Sequence, residues 1–227
     1  MAANYLSLIQ TFGATMKSFR QIAQALALAS IAFIPIAQAA TVTFEDVASG
    51  IFPLPVTSSG FNFTGTGAVG VTANGSECTP LCSSNGTNRL LAPGATFGAT
   101  SITMSRVNGQ SFLLLALDAA EMFSGFPNFD AAQIDYLGYL GANLVISGAL
   151  VLDLINDGPG GVADFQTFTI AGSALVDRIV FTGAGGIGGN NAFALDNLVT
   201  SSVPEPGSLT LVGLCLAGLV ASRRRRV

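Results

Sequence analysis

Phe165-Gln166-Thr167-Phe168-Thr169-Ile170 alternates apolar and polar side chains, with Thr167 the one imperfect position. Successive side chains of a strand point to opposite faces, so this pattern reads as a half-buried β-strand and not as a helix. Outward from it the same reading repeats. Leu175 to Thr182 and Ala192 to Thr200 follow, and Leu144 to Leu154, Tyr136 to Tyr139, Ser111 to Asp118, Thr100 to Arg106, Gly60 to Thr64 and Thr41 to Glu45 precede. Ser111 to Asp118 is nearly all apolar, which predicts burial on both faces. Turn-forming clusters separate the runs, among them Asn156-Asp157-Gly158-Pro159-Gly160-Gly161 and Gly183 to Asn191. Short strands divided by turns predict an all-β, antiparallel β-sandwich. Ala119-Ala120-Glu121-Met122-Phe123 does not fit and reads as a loop or helical turn.

The two ends of the chain read differently from the middle. Lys17 and Arg20 precede an uncharged stretch from Ile22 to Ile36, and Ala37-Gln38-Ala39 supplies small residues at a cleavage position. This is the layout of a secretory signal cut between Ala39 and Ala40, with Met16 able to serve as its start. Residues 1–39 are therefore expected to leave, 40–202 to form the β domain, and 203–227 to form a separate tail.

Charge narrows the function of the middle part. Of nine basic residues, Lys17, Arg20 and Arg223 to Arg226 lie outside it, leaving Arg89, Arg106 and Arg178. Of thirteen acids only Glu205 lies outside, leaving twelve and a net charge of −9. Such a surface repels nucleic acid, which needs cationic contacts to phosphate. The chain has no histidine, so the commonest general base and the Ser-His-Asp and Cys-His nucleophile arrangements are missing. With lysine confined to the signal, Schiff-base chemistry is missing as well, and the expectation is a protein that is not an enzyme. The run Gly183 to Gly189 lacks the Lys-Ser/Thr of a phosphate loop and reads as a connection between strands.

Cys78 and Cys82 lie in a Gly/Ser/Asn-rich loop, and Cys215 lies in the tail. In an oxidising compartment a local Cys78–Cys82 disulfide is the expected pairing, with a stabilisation on the order of 2 kcal/mol for so small a ring. Asn74-Gly75-Ser76 and Asn85-Gly86-Thr87 match a glycosylation pattern, but Asn-Gly is also a plain turn signal, which is the reading adopted.

The tail carries a resemblance. Val203-Pro204-Glu205-Pro206 is followed by an uncharged run from Leu209 to Ala221 and then by Arg223, Arg224, Arg225 and Arg226. An apolar run that short falls below the roughly 30 Å hydrocarbon core at about 1.5 Å per residue, although snorkelling arginines extend its reach. The three parts in this order resemble the PEP-CTERM sorting signal of Gram-negative, exopolysaccharide-producing bacteria. The resemblance implies that Pro204, Glu205 and Pro206 are recognised by an exosortase and that the following helix is a transient membrane anchor. It implies further that Arg223 to Arg226 stop transfer. With signal peptidase at the other end, it implies export across the inner membrane to the cell surface or a biofilm matrix.

A second resemblance concerns the domain itself. Phe44-Glu45 near its start and Ala194-Leu195-Asp196-Asn197-Leu198 near its end resemble the jelly-roll domains of carbohydrate-binding modules and related adhesive domains. It implies an extracellular polysaccharide as partner and a structural calcium between first and last strands. Glu45 and Asp196 would be its ligands, with Asp46 and Asn197 beside them. The alternative is that Asp196 accepts backbone N–H bonds and Glu45-Asp46 is a solvated strand end.

Overall fold

The computed structural model describes residues 39–48, 50–52, 55–65, 69–72, 82–83, 85–98, 100–123, 126, 129–158 and 164–202. They belong to one compact unit, Gln38–Val203. Cys78, the Pro204-Glu205-Pro206 motif, Arg223 to Arg226, Ala37 and the expected terminal helices lie outside the described residues. Among the described residues no helix is long and apolar enough to cross a membrane.

The chain forms strands β1 (Ala39–Val42), β2 (Gly50–Phe52), β3 (Val56–Ser58), β4 (Phe61–Gly65), β5 (Val69–Thr72) and β6 (Arg89–Ala92). A 3-10 turn at Ala95–Phe97 leads to β7 (Ser101–Arg106), β8 (Phe112–Glu121), β9 (Gln133–Leu140), β10 (Asn143–Val151), β11 (Gln166–Thr169), β12 (Arg178–Ala184) and β13 (Phe193–Ser202). They build two antiparallel sheets. One runs β11-β8-β13-β6-β5-β2, with β1 also paired to β13, and the other runs β10-β9-β12-β7-β4-β3. The expected all-β sandwich is therefore the fold.

Alternation explains the layers. In β12, Ile179, Phe181 and Gly183 are buried and face inward, while Arg178, Val180 and Thr182 face out. Phe61 and Phe63 of β4, in the same sheet, do likewise. Phe61 packs edge-on against Phe112 of β8 with ring centroids 5.1 Å apart, and Phe44 packs edge-on against Phe63 at 5.0 Å. Such aromatic pairs add about 0.5–1.5 kcal/mol each beyond the area they bury.

Three local expectations are corrected. The first strand ends at Val42, not at Glu45, because Phe44 adopts a left-handed φ of 59° and Val47 N–H closes a turn on its carbonyl at 3.1 Å. The stretch 119–121 is the last part of β8, held in the ladder by β13 and, at Ala119, by β11. Strict alternation through Asp196-Asn197-Leu198 fails as well. Asn197 takes a left-handed φ of 48° and the β13–β8 register shifts there, the signature of a β-bulge. The bulge brings Leu198 back into the main core with Phe193 and Leu195. Four short strands, β2, β3, β5 and β6, lie outside the runs expected from the sequence.

Candidate functional site

Asp196 is fully buried, 0% exposed, on the far side of β13 from the main core. A short turn covers it. Asn85 Nδ2 donates to its Oδ2 at 2.7 Å, Thr87 Oγ1 donates to the same oxygen at 2.8 Å, and Asn197 N–H donates to Oδ1 at 2.7 Å. Arg89, itself 2% exposed, donates to the Thr87 carbonyl at 3.5 Å and interacts electrostatically with Asp196. Burial pushes the Asp196 carboxyl above its ordinary value, the three donors work against that, and the charge of Asp118 adds to it.

The same turn reaches Glu45. Its Oε1 accepts the Asn88 N–H at 2.7 Å, while Asn88 Nδ2 donates to the carbonyls of Phe44 at 3.3 Å and Val47 at 3.1 Å. Residues 85–88 thus tie the β1–β2 connection to β13. The other two expected calcium ligands go elsewhere. Asp46 accepts the Ser58 hydroxyl at 2.5 Å and the Ser59 N–H at 2.8 Å. Burial opposes the effect of these bonds, but they hold its carboxyl below the usual range. Asn197 donates through Nδ2 to Asp118 Oδ2 at 2.8 Å, and Thr167 donates to Asp118 Oδ1 at 2.6 Å. Glu45, Asp46, Asp196 and Asn197 do not converge, because the side chain of each is hydrogen-bonded to a different neighbour. Among the described residues no three His, Cys, Asp or Glu side chains form a metal-ligating group.

Asn85, Thr87, Asn88 and Arg89 were not legible as a site. Their signal was Asn85-Gly86-Thr87, whose turn reading fits: Asn85 Oδ1 accepts the Thr87 N–H at 3.2 Å. Cys82 is 3% exposed and packs in a smaller core cluster with Leu91, Ala120 and Met122.

The outward face of the six-stranded sheet offers a different chemistry. The registers place Thr57, Asn62, Ser105, Arg178 and Tyr139 side by side across β3, β4, β7, β12 and β9. The Arg178 guanidinium lies 4.5 Å from the centroid of the Tyr139 ring and donates to Asp177 Oδ1 at 3.2 Å. Thr57 Oγ1 donates to Asn62 Oδ1 at 2.8 Å. A parallel row joins Thr64, Thr103, Val180 and Leu137. Hydroxyls, an amide, a cation and one aromatic ring thus share a solvent-facing surface. Neighbouring strands lie about 4.8 Å apart, so five of them span roughly 19 Å.

Comparison with known proteins separates tail from body. Residues 202–226 match the family model of the PEP-CTERM protein-sorting motif. The chain ends in a PEP-CTERM sorting signal. This signal marks the protein for export and for sorting to the surface of a Gram-negative cell. Its matched segment begins at Ser202, the last residue of β13. Similar solved structures include a family 29 carbohydrate-binding module, with 15% identity over 74% of this chain and 90% of that one and a TM-score of 0.40. The K2 cleaved adhesin domain of Lys-gingipain is 14% identical over 73% of this chain and 98% of that one, with a TM-score of 0.41. A family 32 module from C. perfringens NanJ, solved with galactose, is 14% identical over 68% and 98%, with a TM-score of 0.33. At these scores no ligand is carried over from them. No curated protein is similar enough in sequence to count as a relative.

Proposed function

We propose that this PEP-CTERM protein is a non-catalytic β-sandwich component of the cell surface or exopolysaccharide matrix. Signal peptidase releases it between Ala39 and Ala40, and an exosortase processes it at Pro204-Glu205-Pro206. The observation that carries this reading is the sorting motif at 202–226, which follows the last strand without an intervening domain. Proline is poorly tolerated inside helices and sheets, which suits a Pro-Glu-Pro tripeptide to recognition by a protease. Mass spectrometry of surface-extracted protein tests it. The expected product begins at Ala40 and lacks Arg223 to Arg226; an intact C-terminus through Arg226 overturns the processing.

A second reading, binding of a matrix polysaccharide, is favoured by the Thr57–Asn62–Ser105–Arg178–Tyr139 row. Sugar recognition needs hydroxyl and amide partners around an aromatic ring, and this face presents them together. Affinity electrophoresis in gels containing the cognate exopolysaccharide separates the readings, since a purely structural protein migrates without retardation. The Cys78–Cys82 disulfide belongs to either reading, and a 2 Da mass gain on reduction, the two hydrogens of a cleaved disulfide, tests it.

A further inference from the structure

Glu121 continues the inner row of β8 after Leu117 and Ala119, and in the ladder it stands opposite Phe193 of the main core. A carboxylate there replaces a hydrophobe. The residue is 1% exposed, and neither of its oxygens has a hydrogen-bond partner. Beside it lies a cavity of about 220 Å³, lined by Glu121, Asp130, Ala132, Asn156, Gly185 and Gly186 among others. Asp130 also holds a buried oxygen, Oδ1, without a partner. Its backbone is fixed by a bridge to Ala192, and Gly186 packs so closely on its carbonyl that a Cβ would not fit.

The electrostatic surroundings are all of one sign. Asp153, Asp157 and Asp164 act on Glu121 as like charges. The three arginines of the domain are engaged elsewhere: Arg89 with Asp196, Arg106 over the Phe61 ring, and Arg178 with Asp177. A buried carboxylate whose one nearby donor is its own backbone N–H, with no counter-charge, is costly, and it resolves by taking up a proton or a cation. A proton accounts for neither the space beside the pair nor the three further acids around it. A cation accounts for both.

We propose that this cavity binds a hard divalent cation of the calcium type, held by the carboxylates of Glu121 and Asp130. The side-chain amide of Asn156 would supply a neutral oxygen. Asp153, Asp157 and Asp164 would add long-range negative charge. With two carboxylates on the cation, backbone carbonyls and water complete a calcium shell of six to eight oxygens. The lining offers no soft sulfur or imidazole donor, which sets it apart from sites for zinc or copper. Burial, with like charges adding, pushes the Glu121 and Asp130 carboxyls up to about 7, as expected of groups awaiting a positive partner. The proposal is independent of any sugar ligand.

The test uses the mature protein stripped with EDTA and then titrated with calcium chloride, followed by calorimetry and thermal melting. One binding site and a rise in Tm are expected. Glu121→Gln and Asp130→Asn should each weaken binding at least about tenfold, the lower end of what losing even an outer-shell partner costs. Asp153→Asn, at an exposed position, should weaken it by a smaller factor with the fold intact by circular dichroism. Asp196→Asn should leave the affinity unchanged. No heat and no Tm change up to about 10 mM calcium, beyond the range of extracellular calcium modules, would overturn the proposal. So would unaltered binding in both Glu121→Gln and Asp130→Asn.

Discussion

Glu121 and Phe193 stand opposite each other in the β8–β13 ladder, so the carboxylate shares the inward side of the sheet with an aromatic core residue. Its charge state must therefore couple to folding. An acid whose carboxyl is raised in the folded state stabilises the fold below its ordinary value and loses that contribution as pH rises through the raised one. For Glu121 and Asp130 the window runs from about pH 4 to about pH 7. In EDTA the protein should melt several degrees lower at pH 8 than at pH 5. Glu121→Gln should flatten that dependence, and an unchanged slope in this variant would show that Glu121 does not titrate in the window.

Gly186 packs on the Asp130 carbonyl and the Asn191 side chain, whose Oδ1 accepts the Gly186 N–H at 2.9 Å. Gly186→Ala should cost about 1–3 kcal/mol as overpacking. Ile187→Ala next to it, 83% exposed, should be nearly neutral. Chemical denaturation of both variants checks the contrast.

Asp196 supports three donors and faces a buried arginine. Asp196→Ala leaves these groups unsatisfied and should destabilise by about 3–5 kcal/mol, the range for breaking a buried charge pair. Asp46→Ala, whose carboxylate serves a more exposed turn, should cost about 1 kcal/mol. Equal losses in urea melts would mean that the turn over Asp196 is not what holds it.

If the polar row binds polysaccharide, Tyr139→Ala and Arg178→Ala should each abolish retardation in affinity gels. Thr41→Ala, on β1 in the other sheet, should not. Arg178→Lys should restore it poorly, because an ammonium does not stack on the Tyr139 ring as a planar guanidinium does.

The β-sandwich was legible because its strands alternate: Ile179 and Phe181 in one, Phe61 and Phe63 in another. The tail was legible because Pro204-Glu205-Pro206, the apolar run and the arginines keep a fixed order. What escaped depends on residues distant in sequence. The bulge at Asn197 is set by pairing with β8, and nothing local to Asp196-Asn197 reveals which face the carboxylate takes. Glu121 read as part of a loop because the stretch from Ala119 to Phe123 did not fit the strand pattern, yet pairing with β13 carries β8 through to Glu121. The glycine run after β12 read as a loose connection, whereas Gly186 is a close-packed wall of the cavity.

Among the described residues, the last strand to be synthesised is also the hub of its sheet: β13 pairs with β8 along one edge and with β1 and β6 along the other. Hydrogen bonds on both sides of the hub cannot form until β13 itself has been synthesised. Closure of this sheet is thus a late event in vectorial synthesis. The sorting segment starts where the hub stops, so the fold matures only as the address becomes readable.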